Sequence, residues 1–224
     1  MMSYHWRMFK ENIGVDQVIE PGGTICFGAR WVGEKEVIFH SDWKDGHDGM
    51  IRAAHALLSE ADAVVTFNGD RFDIPKLTGE FLLAGLPPPP SITSIDLIKT
   101  IKYRFGFDSN RLAFVGPLLD VGKKMKHEGF DLWVKVMNGD VKAQAKMEKY
   151  CNQDVKVTEA LYKRIRSYIT THPALRAIGS TACTKCGNKT TQRRGYRYTA
   201  CYRIQRLQCT NCHGWSSGKK EKVA

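Results

Sequence analysis

The sequence lacks any run of about 18 consecutive apolar residues, the length that a membrane-spanning helix requires. Its first ten residues, MMSYHWRMFK, also lack the apolar core of a secretory signal peptide. The two absences predict a soluble, cytoplasmic protein that has no membrane partner. A length of 224 residues allows one sizeable α/β domain and a small appendage.

Acidic residues are nearly absent from the last fifth of the chain. Residues 179–224 contain ten Lys and Arg against one Asp or Glu, whereas residues 1–178 contain 24 against 22. Most of the net charge of +11 is therefore concentrated at one end. Such a block predicts a polyanionic partner, most often nucleic acid; a solvated basic tail is the alternative. Aromatic residues that bases can stack on lie among these cations and favour nucleic acid: Tyr196, Tyr198, Tyr202 and Trp215.

Two groups of basic side chains are candidates for contact with nucleic acid. The first group lies in the C-terminal block and comprises Arg193, Arg194, Arg197, Arg203 and Arg206. The second lies in the short basic stretch KKMKHEG and comprises Lys123, Lys124 and Lys126. We expect both groups to contact the phosphate backbone. A solvated surface loop is the alternative for the second group.

The spacing of the cysteines predicts a metal site rather than disulfides. Four of the seven cysteines form two C-x-x-C pairs, Cys183 with Cys186 and Cys209 with Cys212, with 22 residues between the pairs. Two such pairs across a β-hairpin supply the four thiolates of a structural Zn²⁺, which replaces a core that so short a segment cannot form. We therefore predict a zinc ribbon with one Zn²⁺. The remaining cysteines are expected to lie outside this site: Cys26, Cys151 and Cys201.

Residues 64–76, VVTFNGDRFDIPK, predict a strand, a turn and a helix in succession. Val64 to Phe67 are β-branched or aromatic, and Asn68-Gly69 is a turn signal. Asp73 suits the N-cap of the helix and Pro75 its first turn. Because loops that follow strands collect ligands in α/β sheets, Asp73 is a candidate site residue. A purely structural helix cap is the alternative.

A second motif lies on a predicted helix in the C-terminal half of the α/β domain. Tyr150 and Asp154 are four residues apart, so a helix places them on one face. The surrounding residues 141–169 are good helix formers. A core role for the tyrosine is the alternative.

Together, the pattern N-G-x-x-F-D-x-P and the later Y-x-x-x-D resemble two motifs of the 3′–5′ exonucleases with a ribonuclease-H-like fold. The resemblance is to the DEDD family in its tyrosine subclass, and within it to small phage proteins that add a zinc ribbon. It covers about residue 11 to the C-terminus. In such a phage protein the compartment would be the host cytoplasm.

The resemblance implies a role for each of the residues that match the motifs. Asp73 and Asp154 would bind Mg²⁺ or Mn²⁺ in a two-metal site, Tyr150 would orient the attacking water, and Asn68 would brace the loop. The partner implied is DNA, single-stranded or at a 3′ end, in phage replication, proofreading or repair.

The family also has a D-x-E motif on its first strand, and this sequence contains no D-x-E. The two-metal site would then be incomplete and the sheet would lack its first strand. We expect that Met1 is a late start or that the reading frame is split. A degenerate protein in which another segment fills the gap is the alternative.

The resulting expectation is an α/β fold: a ribonuclease-H-like mixed sheet flanked by helices over residues 1–176, and a small basic β zinc ribbon over residues 177–224. Three functions fit it. The first is a metal-dependent 3′–5′ exonuclease, or a truncated and inactive form of one. The second is a non-catalytic nucleic-acid-binding zinc protein on the same scaffold. The third takes the ribbon as a docking module for a protein such as a replicative polymerase.

Overall fold

The structure, a computed structural model, describes residues 2–3, 18–20, 22–125, 128–175 and 180–223. It is a mixed α/β protein whose residues group into two units. The first unit lies within Met1–Ala61, Gly69–Pro90 and His127–Asn152; the second lies within Asp62–Asn68, Ser91–Lys126 and Gln153–Ala224. Among the described helices, none combines the length and the apolar character needed to cross a membrane.

The described residues form four small sheets. Three of them pair two strands each, antiparallel for β1 with β2 and for β3 with β4, and parallel for β5 with β6; the fourth is the antiparallel sheet β7-β8-β9. The strands are β1 (Met2–Ser3), β2 (Val18–Glu20), β3 (Cys26–Ala29), β4 (Ile38–Ser41), β5 (Ala63–Thr66), β6 (Thr93–Asp96), β7 (Thr191–Tyr198), β8 (Tyr202–Cys209) and β9 (Trp215–Lys222).

The helices account for most of the buried apolar residues of the α/β part. They are α1 (Asp42–Glu60), α2 (Asp73–Leu83), α3 (Leu97–Arg104), α4 (Leu112–Leu118), α5 (Phe130–Met137) and α6 (Val141–Ile165), and a 3₁₀ turn, Arg166–Tyr168, follows α6. The sequence also predicts a hairpin from residues 24–32 and 36–40 and an amphipathic helix over residues 48–60. Both are confirmed, as is the long C-terminal helix.

Helix α1 begins earlier than its apolar pattern predicts. The stripe that contains Met50, Ile51 and Ala54 packs against Phe81 of α2, as the pattern requires. The six additional residues at the start, 42–47, contain a break at Gly46, whose φ of 69° is not helical. The apolar stripe therefore marks the part of α1 that packs in the core, not the whole helix.

Helix α2 follows the turn after β5 and differs in one detail from the prediction. Phe72 is its N-cap, and Asp73 is its first helical residue rather than the cap. A carboxylate in this first turn still lies at the positive end of the helix dipole. The helix ends at Leu83, just before Gly85, whose φ of 67° lies in the left-handed region that glycine adopts without strain.

Two elements of the region between residues 90 and 140 have no counterpart in the sequence prediction. Helix α5 is one: Leu132 and Val136 pack against Ala143 and Met147 of α6 in the first unit. Strand β6 is the other, and it pairs in parallel with β5. Both elements are short, eight and four residues, so neither shows a long periodic pattern.

The core of the second unit forms around the C-terminal half of α6. Val157, Leu161 and Ile165 are buried there against side chains of α3 and α4. Pro117 lies in the last turn of α4, one residue before the helix ends at Leu118. The Gly116-Pro117 sequence predicts a kink or a break, and the helix ends one residue after this proline, whose missing N–H removes one hydrogen bond from the last turn.

A buried carboxylate holds the start of the β3 segment against α2 in the first unit. The side chain of Glu80 is 7% exposed, and its oxygens accept hydrogen bonds from the Thr24 N–H at 2.8 Å and from His47 Nε2 at 3.1 Å. The other ring nitrogen of His47 lies 3.0 Å from Asp42 Oδ1. Lys76 Nζ lies 3.6 Å from Glu80 and donates to the carbonyl of Gly22.

The pKa shifts of Glu80 and His47 determine the pH range in which this network stabilises the fold. Burial disfavours the ionised form of Glu80, but hydrogen bonds from Thr24 and His47 outweigh it and lower the pKa of the carboxyl. Burial likewise opposes protonation of His47, but its bonds to Asp42 and Glu80 raise the pKa of the ring. The contribution of Glu80 is lost as pH falls through its lowered pKa, and that of His47 is lost as pH rises through its raised pKa.

We predict that Glu80→Gln lowers the free energy of unfolding by about 1–3 kcal/mol at pH 6, because a buried, charge-assisted network loses its anion. As pH rises and His47 loses its proton, the difference should become smaller. Urea unfolding at pH 6 and pH 9 measures it. Glu60→Gln, at the exposed end of α1, should change stability by less than about 0.5 kcal/mol. A difference for Glu80→Gln that grew from pH 6 to pH 9 would contradict this account.

Candidate functional site

The turn that follows β5 is held by a buried carboxylate at the end of β6. Asp96 is 6% exposed, and its Oδ1 accepts the N–H of Asn68 at 2.6 Å and the N–H of Ile98 at 3.2 Å. Because β5 and β6 are parallel, their carboxyl ends meet at one edge of the sheet. Asp96 therefore caps α3 and fixes Asn68, whose φ of 69° lies in the left-handed region that asparagine tolerates.

Asp73 lies at the exposed start of α2 in the first unit. The turn before it is closed by the carbonyl of Gly69, which accepts the N–H groups of Phe72 at 3.2 Å and Ile74 at 2.9 Å. The sequence motif therefore forms a compact turn that leads directly into the helix. The carboxylate of Asp73 is therefore exposed at the first turn of α2.

Asp154 of α6 has two oxygens in different environments. Its Oδ2 lies 2.8 Å from Lys124 Nζ, an ion pair in which the two side chains are 24% and 30% exposed. Its Oδ1 is buried and has no hydrogen-bond partner among the described residues. A buried carboxylate oxygen without a donor is costly, and a divalent cation is the ligand that it suits. The residue therefore fits the metal role that the motif predicts.

The loop that carries Lys124 is packed closely against α6. Gln153 Nε2 donates to the carbonyl of Lys123 at 3.1 Å. A Cβ on Gly116 would lie 2.7 Å from the carbonyl oxygen of Gly122, so only glycine allows α4 to approach the loop this closely. These contacts position Lys124 beside Asp154. Lys126, the third predicted lysine, lies outside the described residues.

Tyr150 is half-buried on α6 and makes an aromatic contact in the first unit. Its ring centroid lies 6.1 Å from that of Trp133, with the planes at 71°, and it packs against the cluster that α5 and α6 form. The predicted helix over the Y-x-x-x-D motif is confirmed. Asp73 and Tyr150 belong to the first unit, and Asn68 and Asp154 to the second. The four-residue catalytic site therefore stays a prediction.

The four predicted zinc ligands come together in the second unit. The Sγ atoms of Cys183, Cys186, Cys209 and Cys212 all lie within 4.8 Å of one another. Cys183 Sγ is 3.6 Å from Cys212 Sγ, and Cys186 Sγ is 3.6 Å from Cys209 Sγ. Zn–S bonds of about 2.3 Å place tetrahedral sulfurs about 3.8 Å apart. The cluster therefore fits a tetrahedral zinc site.

The pKa shifts of the cysteine thiols also favour a cation bound in the cluster. Burial raises the pKa of the Cys212 thiol to about 12, and burial raises that of Cys183 as well. Burial opposes ionisation of Cys209 too, but N–H groups of Cys212 and Asn211 and neighbouring thiols lower its pKa to about 6. The Cys209 thiolate thus forms readily, whereas ionisation of Cys183 and Cys212 beside it is favoured by a bound metal ion.

The other cysteines lie elsewhere. Cys201 is exposed between β7 and β8. Cys26 and Cys151 lie in the first unit, with their sulfurs 3.7 Å apart. None of the three belongs to the four-sulfur cluster, as the sequence predicts.

Comparison with known families agrees with this architecture. A family model of the RNase H superfamily matches residues 19–166, which is more than half of the chain. The chain therefore belongs to the RNase H superfamily, a membership that indicates a nuclease-like or nucleic-acid-related function and the use of divalent metals. No curated protein matches the chain.

Asp96 is the residue of this region that sequence reasoning missed. Its signal was present in the stretch SITSID, where a short strand ends directly before a helix. The role in holding Asn68 depends on the parallel pairing of β5 with β6, which brings together residues 28 apart in the sequence.

We predict that Asp96→Ala lowers the free energy of unfolding by about 2 kcal/mol, because it removes a helix cap and leaves a buried N–H unpaired. Asp140→Ala is the matched control, since Asp140 caps its helix from an exposed position through Lys142 and Ala143. It should cost about 1 kcal/mol. Amide hydrogen exchange of Asn68 should accelerate in Asp96→Ala beyond its rate in Asp140→Ala; equal rates would refute the bracing role.

We predict that the native protein holds one zinc per chain and that the double change Cys183→Ser with Cys186→Ser releases it, because two of four thiolates are lost. Elemental analysis of purified protein measures the ratio. Cys201→Ser, which leaves the cluster intact, should retain the metal. A native protein without zinc would exclude the zinc-ribbon interpretation.

Proposed function

We propose that this chain is a metal-dependent nuclease of the DEDD type, tyrosine subclass, that removes nucleotides from the 3′ end of DNA. The observation that carries the proposal is the buried Oδ1 of Asp154, which lacks a hydrogen-bond donor among the described residues. In the family that the motifs resemble, this position is a metal ligand. Membership of the RNase H superfamily supports the class of chemistry.

The chain's own residues have separate tasks in this proposal. Asp73 and Asp154 would hold Mg²⁺ or Mn²⁺ through carboxylate oxygens, the ligands that these hard cations prefer. Bound there, the cations supply an activated water and stabilise the charge on the attacking and leaving oxygens of the phosphodiester. The hydroxyl of Tyr150 would orient the attacking water, and Asp96 would keep the Asn68 turn in place.

Lys124 acts on the same carboxylate from the loop beside α6. Its ammonium lies 2.8 Å from Asp154 Oδ2 and supplies positive charge to a carboxylate that is only about one-quarter exposed. Lys123, by contrast, is exposed, and its backbone is fixed by Gln153. We propose that Lys123 contacts the phosphate backbone of the substrate, while Lys124 chiefly serves Asp154.

A second candidate function is nucleic-acid binding without cleavage. The observation that favours it is the same ion pair, because Lys124 gives the Asp154 carboxylate a cationic partner from within the chain. In that case both motifs would serve as scaffold, and the basic zinc ribbon would supply the binding.

We predict that Asp73→Asn and Asp154→Asn each abolish 3′ shortening while single-stranded DNA binding stays within about twofold, because a neutral amide is a poor ligand for a hard cation. The assay follows 5′-labelled single-stranded DNA with Mn²⁺ on a denaturing gel, where removal from the 3′ end gives a ladder.

The matched control is Asp108→Asn, which removes an exposed carboxylate outside both motifs and should leave the ladder unchanged. Cleavage by Asp73→Asn or Asp154→Asn at the native rate would overturn the metal assignment. Binding without cleavage by the native chain would favour the second candidate.

A further inference from the structure

The two faces of the three-stranded sheet differ in charge. Directly opposed residues in antiparallel strands share a face, and alternate residues along a strand change face. The register pairs Arg203 with both Tyr198 and Glu221, whereas Ile204 pairs with Arg197 and Lys220. One face, here called the Glu221 face, therefore carries Arg193, Tyr196, Tyr198, Arg203 and Glu221. The other, the Trp215 face, carries Arg197, Tyr202, Arg206, Trp215, Lys220 and Lys222.

The charge of the Glu221 face is partly neutralised. Glu221 is the single acidic residue in the sequence from 179 to the end. Its carboxylate lies 2.5 Å from Arg203 Nη2 and 3.5 Å from Lys219 Nζ. Two of the basic side chains on or beside this face thus already have an anionic partner. Further along the same face Leu207 and Cys209 are buried, so the zinc end of the face is covered.

The Trp215 face keeps its charge. Four cations lie on it, and the sequence places no carboxylate among its strand positions. Two of the cations are instead held over aromatic rings: Arg206 Cζ is 4.7 Å from the Trp215 centroid, and Lys220 Nζ is 3.6 Å from the Tyr202 centroid. A cation–π contact positions a cation without cancelling its charge, whereas an ion pair cancels it.

We propose that the Trp215 face is the surface of the zinc ribbon that binds single-stranded nucleic acid, with the Glu221 face facing away from it. The inference rests on the proposed function in one respect, that the chain acts on nucleic acid, and it assigns that contact to one side of one sheet.

Single-stranded nucleic acid is the polyanion whose chemistry matches this face. Unneutralised cations of β7, β8 and β9 attract the phosphates, and release of counterions makes such binding depend on salt. The exposed Trp215, with the Arg206 guanidinium over it, offers a flat surface on which an unpaired base stacks. Bases in a duplex are already stacked and cannot use this surface.

The assignment changes the set of basic residues that contact the ligand. Arg197 and Arg206 remain in it, and Lys220 and Lys222 join them. Arg193 and Arg203 lie on the opposite face. Arg194 lies at the irregularity of β7, where its guanidinium donates to Gln192 at 2.8 Å, and it has no assigned face.

The test compares two double variants of the full chain that remove the same charge from opposite faces. Arg197→Gln with Arg206→Gln changes the Trp215 face; Arg193→Gln with Arg203→Gln changes the Glu221 face. The pairs are matched, because each takes one arginine from β7 and one from β8, and each β8 arginine lies 4.7 Å from an aromatic centroid. Fluorescence anisotropy with labelled 20-nucleotide single-stranded DNA and RNA measures Kd between 50 and 200 mM salt.

We expect the Trp215-face variant to lose about tenfold or more in affinity at 50 mM salt, and the slope of log K against log salt to fall by about 1.4, as two lost phosphate contacts require. The Glu221-face variant should lose less than about threefold, and both should retain one zinc per chain. Equal losses in the two variants, or failure of the native chain to bind either probe, would overturn the proposal. A 3′ ladder that persists in either case would show that the nuclease proposal stands without it.

Discussion

The second unit depends on the burial of apolar side chains of α6. The same helix also carries Asp154, which is partly exposed. Val157, Leu161 and Ile165 are buried in the core, which fixes the rotation of the helix about its axis. Asp154 lies one turn before Val157, and this rotation places its side chain beside Lys124. Apolar burial is the largest favourable term available to a domain of this size. Apolar burial therefore determines the direction of the Asp154 side chain, and the ion pair with Lys124 is a consequence of that direction.

Several carboxylates of the described residues are each paired with a cationic side chain. Asp154 has Lys124, Glu80 has His47 and Lys76, and Glu221 has Arg203. The carboxylate of Asp96 instead accepts hydrogen bonds from two backbone N–H groups, so the partner is the main chain rather than a second side chain. Two places differ from these carboxylates. One is Oδ1 of Asp154, a carboxylate oxygen among several buried side-chain atoms without a hydrogen-bond partner in the described residues, and the other is the Trp215 face with its unneutralised cations.

Much of the fold could be predicted from local signals in the sequence. The C-x-x-C spacing predicts which four sulfurs meet, because two short knuckles leave little freedom in how they pair. The length and periodicity of α6 predict the helix, and a turn signal predicts the positive φ of Asn68. These features depend on residues close together in the chain.

What the sequence did not predict depends on long-range pairing. Strand β6 becomes visible only through its parallel partner β5, and with it the bond from Asn68 to Asp96. Helix α5 is stabilised by packing against α6 rather than by its own eight residues. Composition likewise placed Arg197 and Arg203 together in one basic block, whereas the register of β7 with β8 separates them onto opposite faces.

The most direct test of Asp154 as a metal ligand is electron paramagnetic resonance of Mn²⁺, whose six-line signal from free ion decreases when the ion binds protein. A metal role predicts that the native chain, with single-stranded DNA present, depletes the free signal and that Asp154→Asn depletes it far less. Asp108→Asn should behave as the native chain does. Equal depletion by the native chain and Asp154→Asn would contradict the assignment and would leave the Lys124 ion pair as the role of this carboxylate.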